Sequence, residues 1–592
     1  VIKDKRSCAM LARGDKASTI NMKTAVNRLG MGFLFTSGGP QYMPKGSVAY
    51  PSGQLHRRFR CIAVGLAALV AGCGTAPADQ PGTIGFVQGF LGGVVADEPR
   101  AALVGRDVLS AGGNAVDAAV ATYFALAVTL PSTASLGSGG ACLAFNRTVN
   151  GGVPRALSFL PGTPAAIPPG ADRPSAVPGS VRGFYALHAR AGRFRWEQLI
   201  APAENLARFG TPVSRALAAD LDQVGPALLN DMETARVFGR SDGSLVREGD
   251  IVRQIELAAT LGRLRLMGPG EFYAGQLASQ IVAGTSAAGG SLSTDDLRSF
   301  APEWRDTLTL PFGNHRIHFA PPPAGGASAA QMWGILTQVR ALAGAAPAER
   351  AHLIAEAQIR AFADRTRWMG ARGGSTEPPA SLVAPDTLRA VFANYSSDRH
   401  IAVAGLNPAP VERLESPATT GFITADRDGS AVACVMTLNN LFGTGRTARG
   451  TGILLAMEPL DERYRPSSLS PILVINPNVR ELYGAATSSG GLPGMAALVQ
   501  VGLAALIDGA SLESAMGRPR IYHPGLPDVT YHEPDLGADA VAALNARGHR
   551  LAATAVLGRV NALVCREGIP SKPETCEART DPRGFGIAAT AD

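Results

Sequence analysis

The chain has only seven cysteines in 592 residues, and no Cys/His spacing among them suggests a zinc site. No metal or other cofactor is therefore expected. No convincing internal repeat recurs at a period of 20–50 residues, which argues against solenoids and propellers. Gly443-x-Gly445 is a lone glycine pair. No strand, Gly loop and helix surround it, so nucleotide binding is set aside. Charged residues make up just 17% of the chain, and the formal excess of +7 is local. Residues 1–72 hold eleven Lys/Arg against two Asp, a net +9, so the remainder nets −2. Nucleic acid is not an expected partner, because the basic part reads as a removable leader.

What is present fits a loop-rich globular protein: 46% hydrophobic residues, 69 Gly and 42 Pro. The length suffices for several small domains or one large body of helices and strands. His56 to Arg60 is a basic region, and Cys61 to Val70 is a short apolar one. About 12 apolar residues fall short of the roughly 20 that a bilayer-crossing helix needs. Val70-Ala71-Gly72-Cys73 then reads as a bacterial lipobox, whose thiol at Cys73 takes a lipid. The expectation is a leader over 1–72, a lipidated tether over 73–94 and a periplasmic, membrane-anchored body. The polar stretch before His56 places the expected start of translation near Met43 or Val48. Cys565 and Cys576 bracket a polar loop and can bridge in an oxidising compartment. Cys142 and Cys434 lie in apolar runs and are read as plain core residues.

Ala101 to Leu109 has helical apolar spacing and ends at Gly112-Gly113-Asn114. Ala115 to Leu130 is apolar nearly all round, so it reads as a buried helix. Residues 180–285 read as mostly helical, 308–319 as two short strands, and 371–417 as a loop-rich linker. Beyond residue 419 the texture changes to strands and Gly-rich turns.

At that change stand Ala418-Thr419-Thr420-Gly421, the β-rich run to Ala425, the turn Arg427-Asp428-Gly429 and the run Ala431 to Leu438. Asp-Gly between apolar runs is a strong hairpin signal. A three-residue loop with Gly429 left-handed sets Thr419 opposite Thr437; a two-residue loop sets Leu438 there. The first is preferred, because it gathers Thr437 and Asn439 beside Thr419.

Thr419-Thr420, Asp426-x-Asp428-Gly429, Thr437-Leu438-Asn439, Phe442 to Gly445 and Gly452 to Leu455 together resemble the γ-glutamyltranspeptidase family. Gly112 to Ala119, Val177-Pro178-Gly179, Pro321 to Gly326 and Ala361 to Arg365 are similar to that family's large subunit. Ser467 to Pro471, Gly490-Gly491 and Arg518-Pro519-Arg520 are similar to its small one. The resemblance spans about residues 95–590. It implies an α+β fold, the four-layer αββα sandwich of N-terminal-nucleophile hydrolases. It also implies a precursor cut by its own threonine between Ala418 and Thr419, into a large subunit (95–418) and a small one (419–592).

The implied chemistry needs no Ser-His-Asp set. A threonine hydroxyl needs a base, and a freed α-amine, with a reference pKa near ~8, can supply it. Thr437 would hydrogen-bond the Thr419 hydroxyl, and Gly490 and Gly491 would stabilise the oxyanion. Asn439, Glu458, Asp461, Ser467 and Ser468 match positions that hold the amino and carboxylate groups of a γ-glutamyl donor. Water or an amine would accept the acyl group.

Three positions depart from the family pattern. Leu160 stands where an arginine usually meets the donor carboxylate, an unconservative loss. Gly421 replaces the usual His after Thr-Thr. Only five residues separate Asp461 from Ser467, so a longer lid is missing and the site should be more open. These spare the nucleophile and alter recognition. The runner-up readings are a cephalosporin-acylase-like amidohydrolase and a lipid-anchored binding protein that has lost turnover.

Overall fold

A computed structural model describes residues 92–370, 373–406, 417–458 and 468–591. The leader, Cys73, most of the tether, Asp461 and Ser467 lie outside the described residues.

The strands that build the two main sheets are β1 (Gly92–Ala96), β2 (Gly139–Phe145), β3 (Arg155–Phe159), β4 (Glu303–Asp306), β5 (Leu308–Phe312), β6 (His315–Phe319), β7 (Pro417–Asp426), β8 (Ala431–Asn440), β9 (Ile472–Asn476), β10 (Glu481–Ser489), β11 (Arg559–Ile569), β12 (Cys576–Thr580) and β13 (Ile587–Ala591). A seven-stranded sheet runs β13-β1-β7-β8-β2-β3-β4, and a six-stranded sheet runs β12-β11-β10-β9-β6-β5. Neighbours in both are antiparallel. Gly92–Val94, expected at the end of the tether, are instead buried in β1, paired on both sides.

The helices used below are α1 (Pro99–Ser110), α2 (Ala115–Thr129), α3 (Ser180–Ala191), α4 (Trp196–Phe209), α5 (Arg215–Val224), α6 (Ile255–Met267), α7 (Gly326–Gly334), α8 (Pro347–Trp368), α9 (Gly491–Gly502) and α10 (Ala538–Ala546). Side chains alternate across β7 and β8, as the two-residue period of a strand requires. Phe422, Val432 and Met436 join α2, α4 and α6 in one apolar cluster. Ile423, Ala425 and Val435 join Leu473, Leu482 and Leu563 between the sheets. Ile472, Val474 and Val560 turn the other way, onto Trp333 of α7, Leu353 of α8 and Leu498 of α9. The layers are thus helix, sheet, sheet, helix.

The glycine-asparagine motif serves this packing. Asn114 and Asp117 cap α2 reciprocally, and the helix is buried on every face. The other Asp117 oxygen accepts the amides of Arg193 and Phe194 at 2.9 and 3.1 Å. Asp426, at the hairpin turn, accepts the Ala115 amide at 3.0 Å and the Asp428 and Ser430 amides at 3.0 and 2.9 Å. One carboxylate therefore ties the hairpin to the helix.

Cys142 and Cys434 correct the sequence reading: they form a disulfide, as do Cys565 and Cys576. In the β2–β8 pairing Cys142 stands directly opposite Cys434. They stand 292 positions apart in the sequence, and no local pattern shows that the two apolar runs are neighbours.

Candidate active site

The β7–β8 hairpin closes with Ala425 opposite Ala431, and Thr437 directly opposite Thr419. This is the three-residue loop, with Gly429 left-handed at φ 85°. The backbone runs unbroken through Ala418 and Thr419 within β7, so the geometry is that of the uncut chain.

The sequence reading pairs the Thr437 and Thr419 hydroxyls in the cut enzyme; in the uncut chain the Thr437 hydroxyl has other partners. It donates to the Ala418 carbonyl at 2.8 Å and accepts the Asn439 amide at 2.8 Å. The reason is the intact bond, whose carbonyl occupies the acceptor position beside Thr437. The Thr419 hydroxyl instead accepts the Gly490 amide at 3.1 Å. Gly490 and Gly491 have φ of 95° and 71°, and they turn the end of β10 into α9. Glycine is suited to both positions, since side chains disfavour positive φ. A carbonyl polarised by one donor lies next to a hydroxyl held by another.

A cleft of about 220 Å³ opens beside Thr419 and Gly490. Asp97, Asp220 and Arg559 supply its charge, and Leu130, Val556 and Phe585 part of its apolar wall. Asp97 also fixes the strand: its carboxylate accepts the Thr420 hydroxyl at 3.0 Å, the Gly421 amide at 2.9 Å and the Asn561 side-chain amide at 2.9 Å. The Ser132 hydroxyl donates to Asp220 at 2.6 Å. Burial pushes the Asp220 carboxyl up to about 6, although Ser132 and Arg559 pull the other way. Nothing in the sequence marked Asp97, Asp220, Arg559 or Asn561, because only the fold brings them to Thr419.

Among the described residues, the other predicted ones lie outside the cleft lining. Asn439, at φ 67°, donates its side-chain amide to the Met457 carbonyl at 2.7 Å. The adjacent Glu458 is buried and accepts the Thr163 hydroxyl at 2.7 Å. Ser468 lies in a turn leading to β9. None of these three lines the cleft. Leu160 packs against the core between the sheets. Arg449 is 69% exposed and faces Glu233 at 3.8 Å. Gly421 has a steric reason to lack a side chain: a Cβ there would meet the Thr487 hydroxyl oxygen at 2.5 Å.

Two stacked antiparallel sheets between helices, with a threonine held at the sheet end, define an N-terminal-nucleophile hydrolase fold. The chain belongs to the γ-glutamyltranspeptidase family: the sequence model of Gamma-glutamyltranspeptidase matches residues 101–591. It is 29% identical over 553 residues to the glutathione hydrolase proenzyme of Escherichia coli (strain K12), covering 85% of this chain and 94% of that protein. It is 30% identical over 576 residues to the glutathione hydrolase proenzyme of Pseudomonas aeruginosa, covering 89% and 98%. Among solved structures, the cephalosporin acylase from Bacillus halodurans superposes with a TM-score of 0.72 at 24% identity, covering 85% of this chain and 96% of that one. The γ-glutamyltranspeptidase of Helicobacter pylori superposes at 0.50 and 28% identity, covering 56% and 98%.

Proposed function

We propose that this chain is a proenzyme that cuts itself before Thr419 and then hydrolyses or transfers γ-glutamyl amides through an acyl-enzyme on that residue. The observation that carries the reading is the arrangement around one peptide bond. Thr437 polarises the Ala418 carbonyl while the neighbouring Thr419 hydroxyl is held by Gly490. In the cut, the Thr419 oxygen attacks the Ala418 carbonyl carbon, the Thr419 nitrogen leaves as an amine, and water hydrolyses the resulting ester. The freed α-amine then takes the hydroxyl proton when Thr419 attacks a substrate amide. The departing amine is replaced by water or an acceptor amine.

The relatives named glutathione hydrolase proenzyme support both the processing and a γ-glutamyl donor. So does the cleft, which offers carboxylates and a guanidinium to a group bearing an ammonium and a carboxylate. Arg559 supplies the cation that Leu160 does not. Leu160 favours a second reading, an acyl group without an α-carboxylate. The two disulfides suit an oxidising compartment and so support export; the lipid on Cys73 rests on the run Val70 to Cys73. Fatty-acid labelling that persists in Cys73→Ser would refute the anchor.

The test is a gel of the purified protein with and without Thr419→Ala, together with γ-glutamyl, glutaryl and simple acyl anilides. The expected result is two chains from the wild type, the smaller starting at Thr419, one chain from the variant, and preference for the γ-glutamyl anilide. A wild type that stays whole and inert rejects the proposal. Preference for a simple acyl anilide selects the second reading.

A further inference from the structure

We propose that His352, Glu356, His400 and His549 form a binding site for one divalent transition-metal ion, zinc foremost, sharing no residue with the lining of the cleft. The four side chains come from three parts of the chain. His352 and Glu356 are four apart on α8 and so share one face of it. His400 lies beyond the helix Pro385–Phe392, and His549 follows α10. His352, Glu356 and His549 are buried, and the His400 side chain is 9% exposed.

Their inner atoms converge. His352 Nδ1 and His549 Nε2 are 2.7 Å apart, His400 Nδ1 and Glu356 Oε1 are 2.7 Å apart, and His549 Nε2 lies 3.9 Å from Glu356 Oε1. Ligand atoms in a tetrahedral zinc site with bonds of 2.0–2.1 Å stand roughly 3.3 Å apart. These three separations bracket that value, and the ligand atoms of His352, Glu356 and His549 all lie within 4.8 Å of one another.

The outer atoms are arranged as metal ligands require. A ligating imidazole is normally fixed through its second nitrogen by a carboxylate, carbonyl or similar acceptor. Here His400 Nε2 meets Asp528 Oδ1 at 2.9 Å, His352 Nε2 meets the Ser396 carbonyl at 2.8 Å, and His549 Nδ1 meets the Thr530 hydroxyl at 3.0 Å. The second Glu356 oxygen is held by Arg360. Three outer nitrogens are thus anchored; the inner nitrogens of His400 and His549 face one carboxylate oxygen, and that of His352 faces His549. Imidazole with a single carboxylate favours zinc and its first-row neighbours over calcium or magnesium. The sequence showed no metal signature because the ligands are scattered from residue 352 to residue 549.

The test is titration of the chelator-stripped full-length protein with Co²⁺, followed by competition with Zn²⁺. The expected result is one Co²⁺ per chain with the intense visible bands of four-coordinate cobalt, erased by equimolar Zn²⁺. Loss of an outer-shell partner weakens metal affinity roughly 10–100-fold; Asp528→Asn should show that, and His549→Gln a larger loss. No stoichiometric binding by the wild type, a pale six-coordinate spectrum, or affinity unchanged in Asp528→Asn would each overturn the site. The wild-type spectrum and Asp528→Asn decide the matter even if His549→Gln does not fold.

Discussion

At the residue scale, the informative atoms are hydroxyls and carboxyls around one bond. Thr437 donates to the carbonyl that must become an oxyanion during the cut, and such a donor is worth roughly 3–4 kcal/mol. Thr437→Ala should therefore slow self-cleavage by roughly 10²–10³-fold, while Thr437→Ser keeps most of the rate; timed gels of freshly made precursor measure both. Asp220 sets a pH dependence. With its pKa raised from 3.8 to about 6, it carries its charge in the cleft only above that value. KM for a γ-glutamyl anilide should rise as pH falls through about 6, and Asp220→Asn should give a high KM with no such step. The linkage has the opposite sign for stability. A raised folded pKa favours the folded state below the unfolded value, and that contribution is lost as pH rises through about 6. Asp220→Asn should consequently be more stable relative to wild type at pH 7.5 than at pH 4, as denaturation midpoints will show.

At the element scale, the hairpin was readable because its determinants are local. Asp428-Gly429 marked the turn, and the alternation after it fixed which residues share a face with Thr419. The turn leaves no room for a side chain: Gly429 has φ 85°, and a Cβ there would meet the Ile569 carbonyl oxygen at 2.5 Å. Left-handed backbone alone costs a non-glycine residue roughly 1–2 kcal/mol. Gly429→Ala should lose at least that in urea denaturation and slow the cut, because register at Thr419 depends on this turn. Contacts across long separations were not readable. Asp97 reaches Thr420 over 323 residues and Asn561 over 464, and no local periodicity encodes such meetings. The same holds for Cys142 and Cys434, whose runs look like any buried strands. Thr437 is expected beside the Thr419 hydroxyl in the cut enzyme, whereas the uncut chain puts the Ala418 carbonyl there.

At the scale of the whole molecule, the two expected products are interleaved. The seven-stranded sheet takes β1 to β4 from upstream of Thr419 and β8 and β13 from downstream; the six-stranded sheet takes β5 and β6 from upstream and β9 to β12 from downstream. Neither product holds a complete sheet, so neither should fold alone. This gives the Cys142–Cys434 bridge a consequence for molecularity. Once the Ala418–Thr419 bond opens, the bridge joins one product to the other, whereas Cys565–Cys576 lies within the downstream product alone. Refolding of the processed, oxidised protein is then a first-order event, with the partner held at high effective concentration. Reduction makes it a bimolecular encounter. Refolding yield and unfolding midpoint should be independent of protein concentration in the oxidised enzyme and should fall on dilution in the reduced one. A concentration dependence common to both states would mean that the bridge does not span the two products.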